Sequence, residues 1–303
     1  MKFSVTILGN NSAIPTLRRN PTAQIVNHRE KLFMVDCGEG AQIQMRKNRI
    51  RMQKVHHIFI SHLHGDHFFG LIGLISSMHL MHRNKTLHVY GPPELKEILK
   101  VQLEVTNTSL VFKLEYHPLQ FDGKESLYED QMLTVESFPL KHSIPTCGFL
   151  FSEKRQKRKI DKEAIASLEL PVSAYSRLKD GEDIRDGHGR LHKNADLTTD
   201  PPHPRSYAYC SDTAYDENII PWIRDADLLY HEATFLQEMA EAAADKFHST
   251  AREAALIAKK AGVRKLLLGH YSNRYDDPTP LMEEAREVFP ETVFSEQDKS
   301  YDI

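Results

Sequence analysis

Three histidines and an aspartate fall within six consecutive positions, as His62, His64, Asp66 and His67 in the run Ser61-His62-Leu63-His64-Gly65-Asp66-His67. Core packing gives no reason for such a cluster. Imidazole nitrogen and carboxylate oxygen are the donors that open catalytic zinc sites use in preference to thiolates. His62 and His64 stand two apart, so on an extended strand end their side chains point the same way and share one ion. Asp66 and His67 follow where the chain turns into a helix, displaced enough to serve a second ion. The pattern reads as the first half of a two-metal site, and the chemistry it points to is hydrolysis at a metal pair.

Such a cluster needs a frame that brings distant donors to it. Strand-like runs near residues 2–8, 22–27, 31–36, 56–61, 87–91 and 112–118 alternate with helical patterns near 39–48, 66–82 and 93–106. After strands near 131–138 and 146–152, the stretch 153–205 is rich in charge, Gly and Pro, as in Pro201-Pro202-His203-Pro204, and shows no periodicity long enough for a core. The alternation resumes with strands near 207–212, 226–231, 265–270 and 291–296 and helices near 235–245, 249–261 and 279–288. This describes an α/β chain with one domain over 1–303 and an inserted arm at 153–205. Two mixed sheets packed face to face with helices outside, and the cluster at strand ends along one edge, fit the pattern. A doubly wound sheet has the same periodicity, so the metal motif must decide between them.

Composition sets the outer limits. With 303 residues, 40% hydrophobic and 27% charged, the chain has enough apolar material for a sizeable core. The longest nearly apolar run, 68–76, is too short to span a bilayer, and the first residues alternate like a strand rather than a leader peptide. Cys37, Cys147 and Cys210 are scattered and odd in number, which fits a reducing compartment and a cytoplasmic protein. A net charge of −3 argues against a generally basic coat for nucleic acid. Two local basic runs stand out against it, Arg46 to Lys54 and Lys154-Arg155-Gln156-Lys157-Arg158-Lys159, each able to meet several phosphates.

Three more metal-competent residues sit at strand ends: His142 after Phe138-Pro139-Leu140-Lys141, Asp212 in Tyr209-Cys210-Ser211-Asp212, and His270 after Leu266-Leu267-Leu268-Gly269. With the first cluster, and in this order, they resemble the signatures of the metallo-β-lactamase superfamily across nearly the whole chain. The resemblance implies an αββα four-layer sandwich of two mixed sheets. It also implies two zinc ions per chain, one on His62, His64 and His142, the other on Asp66, His67 and His270, with Asp212 between them. Manganese, cobalt or iron suit the same donors. Asp36, in Met34-Val35-Asp36-Cys37-Gly38, matches the superfamily's first motif and would support the ligands from behind.

Within that superfamily, His231-Glu232-Ala233-Thr234-Phe235 and His248-Ser249-Thr250 resemble two further motifs of the ribonuclease Z family, whose members trim the 3′ trailer of precursor tRNA. The resemblance implies a homodimer with no membrane attachment. It implies an arm at 153–205 that grips tRNA, with Lys154, Arg155, Lys157, Arg158 and Lys159 on its phosphates. It also suggests catalytic roles for Asp66 with the attacking water and for His248, held by Glu232, as general acid toward the departing 3′-oxygen. Two departures stand out. Residues 168–181 lack the Gly-Pro dipeptide common in the family's arm. In Pro15-Thr16-Leu17-Arg18-Arg19-Asn20 the family's lysine is replaced by Leu17, leaving Pro15, Arg18, Arg19 and Asn20 as the substrate-binding candidates, with Arg18 placed to supply the missing charge.

The remaining histidines, among them His57, His88, His117 and His192, match no motif and read as structural. Two rival functions use the same ligands: a phosphodiesterase or other metallo-hydrolase for small substrates, and a non-catalytic tRNA-binding protein. The arm, the basic runs and the Glu232–His248 pair weigh against the first, and the intact ligand set against the second. Whether a tRNA would be cut before or after a CCA end depends on loop geometry at 15–20.

Overall fold

The computed structural model describes residues 2–168 and 170–303. Its strands are β1 (Phe3–Gly9), β2 (Ala23–His28), β3 (Lys31–Cys37), β4 (Val55–Phe59), β5 (Leu87–Gly91), β6 (Leu114–Pro118), β7 (Glu125–Glu129), β8 (Leu133–Leu140) and β9 (Thr146–Glu153). The two-residue strands β10 (Lys159–Ile160), β11 (Ile184–Arg185), β12 (Leu191–His192) and β13 (Thr198–Thr199) follow. The last are β14 (Ser206–Cys210), β15 (Leu228–Glu232), β16 (Leu266–Gly269), β17 (Thr292–Phe294) and β18 (Ser300–Asp302). The chain divides into two compact units, one joining the segment up to Tyr128 with Val135–Phe151 and Ser206–Ile303, the other Glu129–Thr134 with Ser152–Arg205.

In the first unit, one sheet runs β18-β1-β2-β3-β4-β5-β6 and the other β17-β16-β15-β14-β9-β8-β7. Each is mixed: β1, β2 and β3 pair antiparallel and β3 to β6 parallel, while β14 to β17 are parallel. The parallel strands are buried on both faces and so read as unbroken apolar runs, as in Leu266-Leu267-Leu268. Aromatic rings fill the space between the sheets, with Phe59 and Phe149 centroids 5.5 Å apart and Phe33 and Phe151 5.8 Å apart. On the outer faces, helices Ala41–Lys47, Leu71–Leu80 and Leu95–Val105 cover one sheet, and Ala251–Ala261 and Thr279–Val288 the other. The αββα arrangement is therefore present, and the doubly wound alternative is not.

Local differences from the sequence reading have physical causes. The helix expected over 66–82 is broken into Gly65–Phe68 and Leu71–Leu80. At Gly70, between them, the amide donates to the Cys37 carbonyl at 2.9 Å, and a Cβ there would meet the Gly38 carbonyl at 2.2 Å. Strands β7 and β18 carry no strand-like run in the sequence; β18 is three residues long and exists through its pairing with β1.

The second unit corrects the expectation that 153–205 has no core. Ala174, Leu178, Ile184 and Leu197 are buried together, backed by Ile160, Ala164, Ile165 and Leu168. Ala174 and Leu178 form the inner face of the helix Val172–Lys179, and β10 pairs with β13 and β11 with β12. The apolar residues come from separate short pieces, too far apart in the chain to make a periodic signal. No helix of the described residues is long and apolar enough to cross a membrane. All three cysteines are buried thiols.

Candidate metal centre

Strand β4 ends at Phe59, and the chain runs on extended through Ile60, whose amide donates to the Tyr90 carbonyl at 2.8 Å. His62 and His64 thus lie just beyond the strand rather than on it. Asp36, near the end of β3, anchors this segment: its carboxylate accepts from the Ser61 amide (2.8 Å), the Ser61 hydroxyl (2.9 Å), Tyr209 (2.6 Å) and His67 Nδ1 (2.7 Å). The fully buried His67 is held with Nε2 pointing away from Asp36. That nitrogen has no hydrogen-bond partner and lies 3.3 Å from Asp212 Oδ1 and 3.5 Å from Asp66 Oδ2. Asp36 (φ 53°) and His270 (φ 57°) both occupy the left-handed region that non-glycine residues avoid, strain that the surrounding contacts must hold in place.

The seven expected ligands come together in two groups. His62, His64, His142 and Asp212 place one donor atom each within 4.8 Å of one another, and so do Asp66, His67, Asp212 and His270. Asp212 belongs to both. Its Oδ2 faces His62 and His142 Nε2 at 3.7 and 3.9 Å, while Oδ1 faces His67 and His270 Nε2 at 3.3 and 3.2 Å. The ring nitrogen away from the centre is bound in each case: His62 to the Ser61 hydroxyl (3.0 Å), His142 to the Phe247 carbonyl (2.9 Å) and His270 to the Thr234 hydroxyl (3.0 Å). His64 presents Nδ1 instead, 3.2 Å from His62 Nε2 and 3.1 Å from His142 Nε2.

Charge follows the same design. Burial pushes His62 well below the usual imidazole range, and lowers His64 and His142 as well, leaving them neutral. Burial opposes ionisation of Asp212, yet His270 and His67 outweigh it and hold the carboxyl well below its ordinary value. Burial disfavours the His67 cation, yet Asp212, Asp66 and Asp36 outweigh it and raise His67 well above the usual imidazole range. The neutral His62, His64 and His142 rings beside ionised Asp212 and Asp66, with the unpartnered His67 Nε2 aimed between the two carboxylates, fit divalent cations, which would displace the His67 proton.

Beside this centre lies the Glu232–His248 pair. Glu232, buried at the end of β15, accepts from the Thr213 amide (2.9 Å), the Thr234 amide (3.1 Å), the Thr234 hydroxyl (2.7 Å) and His248 Nδ1 (2.8 Å). Glu232, His248 and His270 also bring donor atoms within 4.8 Å of one another, but Glu232's oxygens are already spent on these four donors. It therefore reads as an anchor. Burial disfavours the His248 cation, and Glu232 outweighs this, lifting the imidazole to about 9. His248 lines a cavity of 520 Å³ together with His64, Asp66, Asp212, His270 and Pro15.

The substrate-binding candidates are less uniformly placed. Pro15 borders the cavity and Arg18 is exposed. Arg19 turns inward, donating to the Tyr275 carbonyl at 2.7 Å and lying 6.0 Å from the Tyr271 ring centroid. Asn20 ties its loop down, its amide donating to Gln297 at 2.7 Å and its carbonyl accepting from the Asn10 and Asn11 amides. In the arm, Lys154 pairs with Glu129, Lys157 with Asp180 (2.8 Å) and Arg158 with Asp200, while Arg155 and Lys159 are exposed. Three partners of the site go beyond what the sequence indicates: Thr234, which links Glu232 to His270; the Ala13 amide, donating to Asp66 Oδ2 at 2.8 Å; and the Phe247 carbonyl. Thr234 lies within the His231-Glu232-Ala233-Thr234-Phe235 motif, its one signal in the sequence.

Residues 3–157 match the family model described as Anti-Pycsar protein Apyc1, and residues 186–271 that of the Beta-lactamase superfamily domain. Over nearly its whole length the chain is similar to the ribonuclease Z of Phocaeicola vulgatus, 46% identical across 98% of this chain and 96% of that one. The ribonuclease Z of Porphyromonas gingivalis is 44% identical across 99% of each chain. Among solved structures, the short form of human tRNase Z superimposes with a TM-score of 0.73 at 27% identity over 99% of both chains. YhfI of Bacillus subtilis, at 0.71 and 19%, shares the fold.

Proposed function

The chain belongs to the ribonuclease Z family, metal-dependent endoribonucleases of the metallo-β-lactamase fold, and from that membership we propose that it removes the 3′ trailer from precursor tRNA, leaving a 3′-hydroxyl on the tRNA. The observation that carries the reading is Asp212, which turns one oxygen to each donor group beside the Glu232–His248 pair. Two zinc-class ions held by His62, His64, His142 and Asp212 and by Asp66, His67, His270 and Asp212 would supply Lewis acidity toward water and phosphate.

The chain's own groups account for the proton movements. Asp66, fixed by the Ala13 amide, orients the attacking water and takes its proton. His248 has Nδ1 committed to Glu232 and keeps Nε2 for the leaving 3′-oxygen, to which it donates. Glu232 holds that ring as a carboxylate holds an imidazole in other hydrolytic sites. The reading includes a single domain over 1–303, an arm at 153–205 that grips the body of the tRNA, and a cytoplasmic homodimer.

The test is to incubate the metal-loaded protein with end-labelled precursor tRNA and map the cut. A single cleavage releasing the trailer and leaving a 3′-hydroxyl is the expected result. Hydrolysis of small phosphodiesters with no cut in the tRNA would move the assignment to a small-substrate hydrolase.

A further inference from the structure

A second histidine cluster lies on the same sheet as the first but belongs to none of its motifs. In the parallel pairing of β5 and β6, His88 stands opposite Glu115 and Tyr90 opposite His117. The intervening residues Leu87, Val89, Leu114 and Tyr116 pack into the core under the helices. Alternation therefore turns His88, Glu115 and His117 to the opposite face of the sheet. β6 is the edge strand there.

The three side chains converge. His88 Nδ1 lies 3.0 Å from His117 Nε2 and 3.1 Å from Glu115 Oε2, and the three residues place donor atoms within 4.8 Å of one another. Their orientations are held from both sides: His57 stacks on His88 at 4.8 Å and Tyr90 on His117 at 4.4 Å, while Lys113 grips the other oxygen of Glu115. The His88 and Glu115 side chains are 27% and 32% exposed, which leaves the cluster open to solvent. Burial lowers the pKa of His88, so its ring is neutral and able to ligate.

We propose that His88, Glu115 and His117 form a divalent transition-metal site, distinct from the Asp212 centre, that binds zinc-class ions and ties edge strand β6 to β5. Two imidazoles and one carboxylate make a donor set that zinc, cobalt and nickel accept. Three protein donors leave coordination positions to water, so the ion exchanges. Lys113 adds a positive charge beside the carboxylate and weakens binding without blocking Oε2, the oxygen that faces His88.

The experiment strips the full chain with chelator, dialyses it to equilibrium against zinc, and counts metal per chain by elemental analysis. Wild type is expected to hold about one equivalent more than His88→Gln or His117→Gln, with unchanged endoribonuclease rates in both variants. The same difference is expected on an Asp212→Ala background, where the active centre is crippled. The outcome there separates this site from the reading of that centre. Lys113→Gln should tighten the additional equivalent. If either histidine variant loses its circular-dichroism spectrum, Glu115→Gln, partly exposed and close in shape, carries the test. Equal metal content in wild type and folded variants on both backgrounds overturns the proposal.

Discussion

The metal centre and the arm both concentrate polar chemistry, and they hold it in opposite ways. At the centre, His62, His67, Asp212 and Glu232 are almost wholly buried, and nearly every donor has its far side fixed by a second group such as Asp36, Thr234 or the Phe247 carbonyl. In the arm, charges lie at the surface over a small core; Lys157 and Arg158 are paired with the arm's own acids and Lys154 with Glu129 at the end of β7. A buried polar group left without its partner costs about 1–3 kcal/mol or more, whereas an exposed ion pair contributes about 0–1 kcal/mol and is screened by salt. Chemistry at the centre should therefore fail at single substitutions, and binding through the arm should change by increments.

The sharpest break should come at Asp212. Asp212→Ala removes the one residue common to both donor groups, so metal content should fall at both and the rate by more than the about 10²–10⁴-fold that loss of a general acid costs. Elemental analysis beside single-turnover cleavage checks both. Retention of two tight ions in the variant, over and above any held by His88, Glu115 and His117, would refute the shared-ligand scheme. Next comes His248→Ala, which should keep metal content and tRNA affinity while slowing cleavage by about 10²–10⁴-fold. Glu232→Gln should act in the same direction and less than additively, because the two form one hydrogen-bonded unit. An unchanged single-turnover rate in His248→Ala would leave the ring a merely structural role.

Smaller still is the effect expected behind the ligands. Asp36 touches His67 Nδ1 and Ser61 without lining the cavity. Asp36→Asn should weaken metal binding by about 10–100-fold, the usual range for a group that orients a ligand. Competition against a chromophoric chelator measures it, and affinity equal to wild type would show that His67 is held by burial alone.

How far these features could be read from sequence depends on where their causes lie. Candidate ligands packed into one short segment, 62–67, announce themselves, and the structure brings Asp212 and His270, expected from strand ends with a matching motif, within reach of them. The alternation of strands and helices was legible because each run is longer than its period. Features set by tertiary approach were not. The break at Gly70 comes from backbone of β3 passing against it, and the Ala13 amide reaches Asp66 from a loop 53 positions earlier. Arg19 is placed in the same way: the Tyr275 carbonyl, 256 positions later in the chain, and the Tyr271 ring hold its guanidinium. Likewise the arm's core is spread over four short pieces, each below the length at which periodicity carries information.

The smallest effects should appear in the arm's basic run, and there the contrast between free and paired charge gives a graded test. Each phosphate contact adds about 0.7–0.9 to the slope of log affinity against log salt. Arg155 and Lys159 are exposed, so Arg155→Ala and Lys159→Ala should each flatten the slope for precursor tRNA by up to that amount. Lys157 must first leave Asp180, and Arg158 both Asp200 and the Thr198 hydroxyl, so their alanine variants should change the slope less. Asp180→Asn inverts the sign: by releasing Lys157 it should steepen the slope and tighten binding, with cleavage of a small phosphodiester unchanged. Deleting the arm should remove the whole of this salt dependence and raise the precursor concentration needed for half-maximal rate, again sparing the small substrate. Equal losses on both substrates, in a deletion variant that still folds and holds metal, would mean that the arm supports the centre and does not grip tRNA.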